Sequence, residues 1–267
     1  MEQDMIRHDL TNREYHAHPA ISASDIKTAH LKSIAHWRHG VRKESTAFDL
    51  GTAVHAMVLE PEKELVRRGP ADRRGDKWKH AKMAADFDDI LLLPEAEYDL
   101  AEVIAQSVIA HTPAWLDVPR TVEASIFASD PITGVDIKCR PDIYIEADGL
   151  IVDLKTCASA SPRIFTRDVH AYGYNLQAAF YLRTLRAAGL PAERFLFLAA
   201  EKEPPYAVCL HEIDPDYLDT SDAIITKTLL AIRDATEKGL YTTGWPEVNV
   251  IARPAWISAD EPEDLDF

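Results

Sequence analysis

The chain has 267 residues, with 29 Lys and Arg against 44 Asp and Glu, which leaves a formal charge of −15. Hydrophobic residues make up 46% and charged residues 27%, the composition of a soluble globular chain long enough to bury a substantial core. The longest apolar run, Phe195 to Ala200, falls far short of the roughly 20 residues that span a bilayer. The first twenty residues hold no apolar secretion signal, and three cysteines (Cys139, Cys157, Cys209) make neither a disulfide framework nor a four-thiolate cluster. A cytoplasmic protein is expected. So acidic a chain does not coat a polyanion over its whole surface, but the charge is uneven. Lys63 to Lys82 holds eight Lys or Arg against three acids, and Asp260 to Phe267 holds five acids and no base. Any contact with a polyanion is expected to be local and metal-assisted.

In chain order, Ser22 and Ser24 precede a helical pattern (Ile26, Ala29, Ile34, Trp37) that stops at Gly40. A second helix covers about Thr46 to Glu60 and is ended by Pro61. Arg67 to Asp76 reads as a basic loop, followed by helices near Trp78 to Phe87 and Ala96 to His111. The pattern then changes to strands at Thr121 to Ala128, Val135 to Arg140, Asp142 to Glu146 and Leu150 to Lys155. A helix follows at about Tyr174 to Ala188, then strands at Arg194 to Ala200 and Tyr206 to Ile213, and a helix near Tyr217 to Lys238. This order predicts an α/β fold, a central mixed β-sheet flanked by helices with a helical N-terminal elaboration. One domain is expected over residues 1–256, helical at about 15–115 and sheet-containing at about 120–240. The acidic tail at 257–267 reads as disordered.

The segment around Asp148-Gly149 carries the chemistry. A two-residue turn there pairs Ala147 with Leu150, Tyr144 with Asp153 and Asp142 with Lys155. Asp142, Asp153 and Lys155 then share one face, while Ile143, Ile145, Val152 and Leu154 point to the other. Neighbouring carboxylates repel unless a cation sits between them, and a hard ion such as Mg²⁺ or Mn²⁺ is held by such acids. An adjacent lysine can neutralise charge that develops on a phosphate. The set therefore fits phosphodiester hydrolysis, although a bare pair of acids followed by a lysine is equally the signature of a surface salt-bridge ladder.

Further motifs favour the first reading. Gly51-Thr-Ala-Val-His55, Arg140-Pro141-Asp142, Asp153-Leu154-Lys155-Thr156 and Gln177-Ala-Ala-Phe-Tyr181 occur in that order, after an opening segment YHAHPAISASDIKTAH. Over about Tyr15 to Tyr181 the chain resembles the PD-(D/E)xK nuclease superfamily, and within it the RecE-like exonucleases of the exodeoxyribonuclease VIII type. The resemblance implies a restriction-endonuclease-like core. It implies that Asp142, Asp153, His55 and the backbone carbonyl of Leu154 bind metal, that Glu123 can join them, and that Lys155 is the catalytic lysine. Gln177 and Tyr181, four apart on a helix, are implied to contact nucleic acid. Arg73, Arg74, Lys77, Trp78 and Lys79 form a candidate DNA-contacting segment, its cations for phosphates and its indole for stacking.

The expected activity is a Mg²⁺-dependent exonuclease, with Mn²⁺ able to substitute, that resects ends of linear double-stranded DNA in the 5′-to-3′ direction. The resemblance further implies phage-type recombination, a single-strand annealing protein as partner, and a ring-shaped homo-oligomer. An endonuclease or a branched- or single-strand nuclease of the same fold is one alternative. A catalytically idle DNA- or partner-binding module is another.

Overall fold

The computed structural model describes residues 6–41, 46–112 and 118–252, and the acidic tail at 257–267 lies outside them. Strand β1 (Ile6–Arg7) precedes helices α1 (Asn12–Ala17), α2 (Ala23–Leu31), α3 (Ile34–His39) and α4 (Thr46–Leu59). β2 (Val66–Arg68), α5 (Gly75–Phe87), β3 (Leu91–Leu93) and α6 (Glu95–His111) follow. The second half contains β4 (Thr121–Val122), β5 (Ser125–Ser129), β6 (Asp136–Cys139), β7 (Ile143–Ile145) and β8 (Leu150–Cys157). It ends with α7 (Pro162–Ala171), α8 (Tyr174–Ala187), β9 (Arg194–Glu201), β10 (Val208–Glu212) and α9 (Pro215–Lys238).

The main sheet has the order β10-β9-β8-β7-β4, with β8 and β9 parallel and the other pairs antiparallel. Its central strands are buried on both faces, as expected where helices cover both sides. On one face Ile143, Val152, Leu154 and Leu198 pack against α4 and α6 through Val54 and Ile104. On the other, Tyr144, Ile151, Phe195 and Phe197 meet α7 and α8 through Phe165 and Leu182. The outer side of α8 packs in turn on α2 and α9, through Phe180, Ile26 and Leu229. The α/β architecture expected from the sequence is the one found.

Four local expectations are corrected. The first helix is two: Lys32 ends α2, and the Ser33 hydroxyl caps α3 by accepting the His36 N–H at 3.1 Å. The basic loop begins with a strand, β2, that pairs in parallel with β3. The strand expected over Thr121 to Ala128 is broken at Glu123, whose φ of 50° is left-handed. That break sends β4 to the main sheet and β5 to a second, antiparallel sheet of order β1-β5-β6. Finally, β7 and β8 pair Ile145 with Leu150 and Ile143 with Val152. A 3-10 turn at Glu146–Asp148 and Gly149 at φ 56° replace the two-residue turn. The register differs by two from the expected one, and an even slip leaves every β8 side chain on its original face.

Candidate active site

Beyond the Ile143–Val152 pair the β7–β8 ladder stops, and the Asp142 carboxylate takes over: its Oδ2 accepts the Leu154 backbone N–H at 2.7 Å. The same oxygen lies 3.4 Å from His55 Nδ1, presented by the second half of α4. Glu123 reaches the same place from the break between β4 and β5, where its N–H donates to the Asp142 carbonyl at 3.3 Å. The ligand-type atoms of His55, Glu123 and Asp142 all lie within 4.8 Å of one another. Burial pushes Asp142 up to about 6, with repulsion from Asp153 adding to it and His55 opposing. Burial and then the Asp142 charge push Glu123 up to about 8. A backbone held in the left-handed region at a non-glycine costs of order 1–3 kcal/mol, and at Glu123 it delivers a carboxyl to this cluster.

Asp153, on the central strand β8, is only 1% exposed. Its Oδ1 accepts a hydrogen bond from Gln177 Nε2 of α8 at 2.6 Å. Its Oδ2 forms an ion pair with Lys155 Nζ but accepts no aligned hydrogen bond among the described residues. Burial works against charge on Lys155, yet the attraction of Asp153 and then Asp142 outweighs it and holds the ammonium above its usual 10.5. The Lys155 ammonium also lies 5.2 Å over the Tyr174 ring.

His55, Glu123, Leu154, Lys155 and Gln177 border an open groove of about 1120 Å³, lined also by Lys27 and Arg140, whereas Asp142 and Asp153 are buried and are not among its lining residues. Gly51 lines it too, and a Cβ there would meet Thr156 Oγ1 of β8 at 3.4 Å, an ordinary contact. The structure thus brings together Asp142, Asp153, Lys155, His55, Glu123, Leu154 and Gln177, which the sequence places up to 122 positions apart (His55 to Gln177). Tyr181, one turn along α8 from Gln177, does not line the groove. It packs against Phe195 with ring centroids 6.1 Å apart, and burial raises its phenol well above the usual range.

Arg73, Arg74, Lys77, Trp78 and Lys79 lie at or just before the start of α5 and also do not line the groove. Acids meet part of this segment's positive charge: Arg73 pairs with Glu97, Arg74 with Asp72 and Lys79 with Asp76, while Arg68 of β2 pairs with Glu95 and Asp99. The Arg73 guanidinium also sits 5.7 Å over Trp78. Lys27 is one groove residue that the sequence reading did not assign to the site. It belongs to the opening segment already noted, but no spacing relates it to the acids, and only the packing of α2 on α8 places it there.

The donor set suits a divalent cation. Two carboxylates and an imidazole nitrogen face one another, and burial together with neighbouring carboxylate charge holds both carboxyls above their usual range, a cost that a cation relieves. Among the described residues, no helix is long and apolar enough to cross a membrane.

Comparison with known proteins agrees with this fold. The crystal structure of a provisionally designated exonuclease from Eubacterium rectale superposes with a TM-score of 0.63 at 18% identity, covering 94% of this chain and 96% of that one. A phage related exonuclease from Haemophilus somnus 129PT aligns over 84% of this chain and 97% of its own at 10% identity, with a TM-score of 0.39, too low to argue from. Among curated proteins none matches. The model of a PDDEXK-like domain of unknown function, DUF3799, matches residues 23–240. With most of its length so matched, and with a mixed sheet flanked by helices that carries an Asp and an Asp-x-Lys on adjoining strands, the chain belongs to this PDDEXK-like family.

Proposed function

We propose that the chain is a divalent-metal-dependent deoxyribonuclease that degrades linear double-stranded DNA from its ends, in the 5′-to-3′ direction. The observation that carries the reading is the meeting of His55, Glu123 and Asp142 within 4.8 Å, beside the Asp153–Lys155 ion pair, with His55, Glu123 and Lys155 lining one groove. Asp142, Asp153, His55, Glu123 and the Leu154 carbonyl would hold Mg²⁺, with Mn²⁺ able to replace it. When bound, such an ion supplies Lewis-acid polarisation of a phosphoryl oxygen and a lowered pKa for an attacking water.

The protein's own groups prepare the site. The Leu154 N–H fixes the Asp142 carboxylate, and the Gln177 amide fixes Asp153. Lys155, kept protonated by its acidic neighbours, can neutralise charge that builds on the phosphate during attack. The cationic segment Arg73, Arg74, Lys77, Lys79 with Trp78 lies outside the groove, where it can contact duplex flanking the reacting end. End dependence, a ring-shaped assembly, a single-strand annealing partner and a role in phage-type recombination are supported by the RecE-like motifs. The name of the Eubacterium rectale relative adds support for exonuclease action.

The test uses a linear duplex labelled at each 5′ end and a covalently closed circle, each incubated with Mg²⁺, with Mn²⁺ and with EDTA. Loss of 5′-terminal label from the linear duplex alone, abolished by EDTA, is expected. Digestion of the circle would overturn end dependence, and inactivity on every DNA form with both metals would overturn hydrolysis.

A further inference from the structure

Lys27 is a cation in an unusual position. Its ammonium reaches the groove floor beside Lys155, and both lysines face the ring of Tyr174, at 5.7 and 5.2 Å. Lys155 has a carboxylate, Asp153, as its ion-pair partner. Lys27 has none within ion-pair distance among the described residues; its hydrogen bond goes to the amide oxygen of Gln177, Oε1, at 3.4 Å. Burial, and then repulsion by Lys155, lower the Lys27 ammonium to about 8, although Asp153, beyond ion-pair distance, attracts it. A largely buried charge of this kind is costly to keep unless a counter-charge arrives.

The side chain is also held in place. Gly173, at φ 63°, caps the start of α8, and a Cβ there would lie 3.2 Å from Lys27 Cγ and Cδ. The alkyl stem of Lys27 therefore rests on a backbone position that only glycine leaves open, and its amine is directed along the groove. A fixed cation lacking a carboxylate, next to a lysine that already has one, fits an anion delivered with the substrate.

We propose that Lys27 forms a second phosphate-binding position in the groove, which holds a nucleic-acid backbone phosphate neighbouring the one presented to Lys155. The proposal rests on the nuclease reading above and names a substrate contact beyond the acid–lysine set. Gln177 links the two positions, since its amide nitrogen donates to Asp153 while its oxygen accepts from Lys27. A strand seated on Lys27 is thereby placed in register with the acids.

The experiment measures binding of a fluorescent linear duplex by anisotropy, across a salt series, with Ca²⁺ in place of Mg²⁺ to hold turnover down. Wild type, Lys27→Gln and Lys27→Arg are compared, and Mn²⁺ affinity without DNA is measured by calorimetry on the same proteins. Loss of one phosphate contact should reduce the slope of log affinity against log salt by about 0.9 and weaken binding roughly five- to tenfold in Lys27→Gln. Lys27→Arg should retain the wild-type slope, and Mn²⁺ affinity should match wild type in both variants. A wild-type slope in Lys27→Gln overturns the proposal. So does a loss of Mn²⁺ affinity in that variant, because Lys27 would then act through Gln177 and Asp153. A wild-type protein that binds no duplex overturns the nuclease reading itself, a result distinct from either.

Discussion

Gln177 Nε2 and Asp153 Oδ1 are 2.6 Å apart, joining a helix buried between two layers to the central strand of the sheet. Gln177 is thus a positioning residue for a buried carboxylate whose other oxygen faces Lys155. Gln177→Ala should lower metal affinity and turnover together by about 10- to 100-fold, the usual effect of removing a residue that orients a metal ligand. Calorimetry with Mn²⁺ beside nuclease rates checks this; a variant that loses rate at wild-type metal affinity would place Gln177 on the DNA instead.

Glu123 and Asp142 make the metal-free protein sensitive to pH. A carboxyl that keeps its proton in the fold but releases it in the unfolded chain makes folding weaker as pH rises. Glu123 does so between its usual 4.5 and about 8, and Asp142 between 3.8 and about 6. In EDTA the melting temperature should therefore fall from pH 5 to pH 8, and Glu123→Gln should flatten the decline. Mg²⁺ at about 100 times its Kd should restore about 2.7 kcal/mol at pH 8. A melting temperature independent of both pH and Mg²⁺ would contradict the crowded-carboxylate description.

Arg183 and Asp130 form a buried pair remote from the groove. The guanidinium donates from Nε and Nη2 to Asp130 at 2.6 and 2.9 Å, and from Nη1 to Asp222 and Thr226. Removing one partner strands the other, so Arg183→Ala should cost about 3–5 kcal/mol in urea unfolding. Burial alone would raise Asp130, but the hydrogen bonds from Arg183 and Thr133 prevail and hold its carboxyl below 3.8. Its contribution is complete above that value and is lost as pH falls further. The stability difference between wild type and Asp130→Asn should accordingly shrink below about pH 4, as read from urea midpoints.

Gly149 closes the hairpin that leads into the acids. Its φ of 56° disfavours a side chain, and a Cβ would meet Glu193 Cγ at 3.0 Å and its backbone nitrogen at 3.1 Å. Gly149→Ala should lose about 1–3 kcal/mol of stability, with the metal affinity of refolded protein unchanged. An unaffected urea midpoint would mean that the turn relaxes freely.

The hairpin shows how far the sequence could be read. Its turn was expected to be two residues long and proved to be four, yet the error was even and the β8 residues stayed on their face. Continuous apolar runs in β8 and β9 made the sheet legible, because burial on both sides leaves little else for those positions to be. The break at Glu123 was not legible: the residues alternate as one strand would, and the change of sheet depends on a backbone angle imposed by tertiary pairing. The basic segment was legible only in part. Its excess charge is visible locally, while its counter-charges lie elsewhere in the chain, such as Asp99, 31 residues from Arg68. Lys27 was hidden for the same reason, since Gln177 is 150 residues away.

Strand β8, with Asp153 and Lys155, lies at the middle of five strands, flanked by β7 and β9. Its amides are expected to be among the last in the fold to exchange deuterium, so Asp153 and Lys155 sit on a rigid element. His55 and Lys27 come instead from helices that lean on the sheet from outside. Under the proposed function, accommodation of differently shaped DNA ends would fall to α2 and α4, while Asp153 and Lys155 stay still.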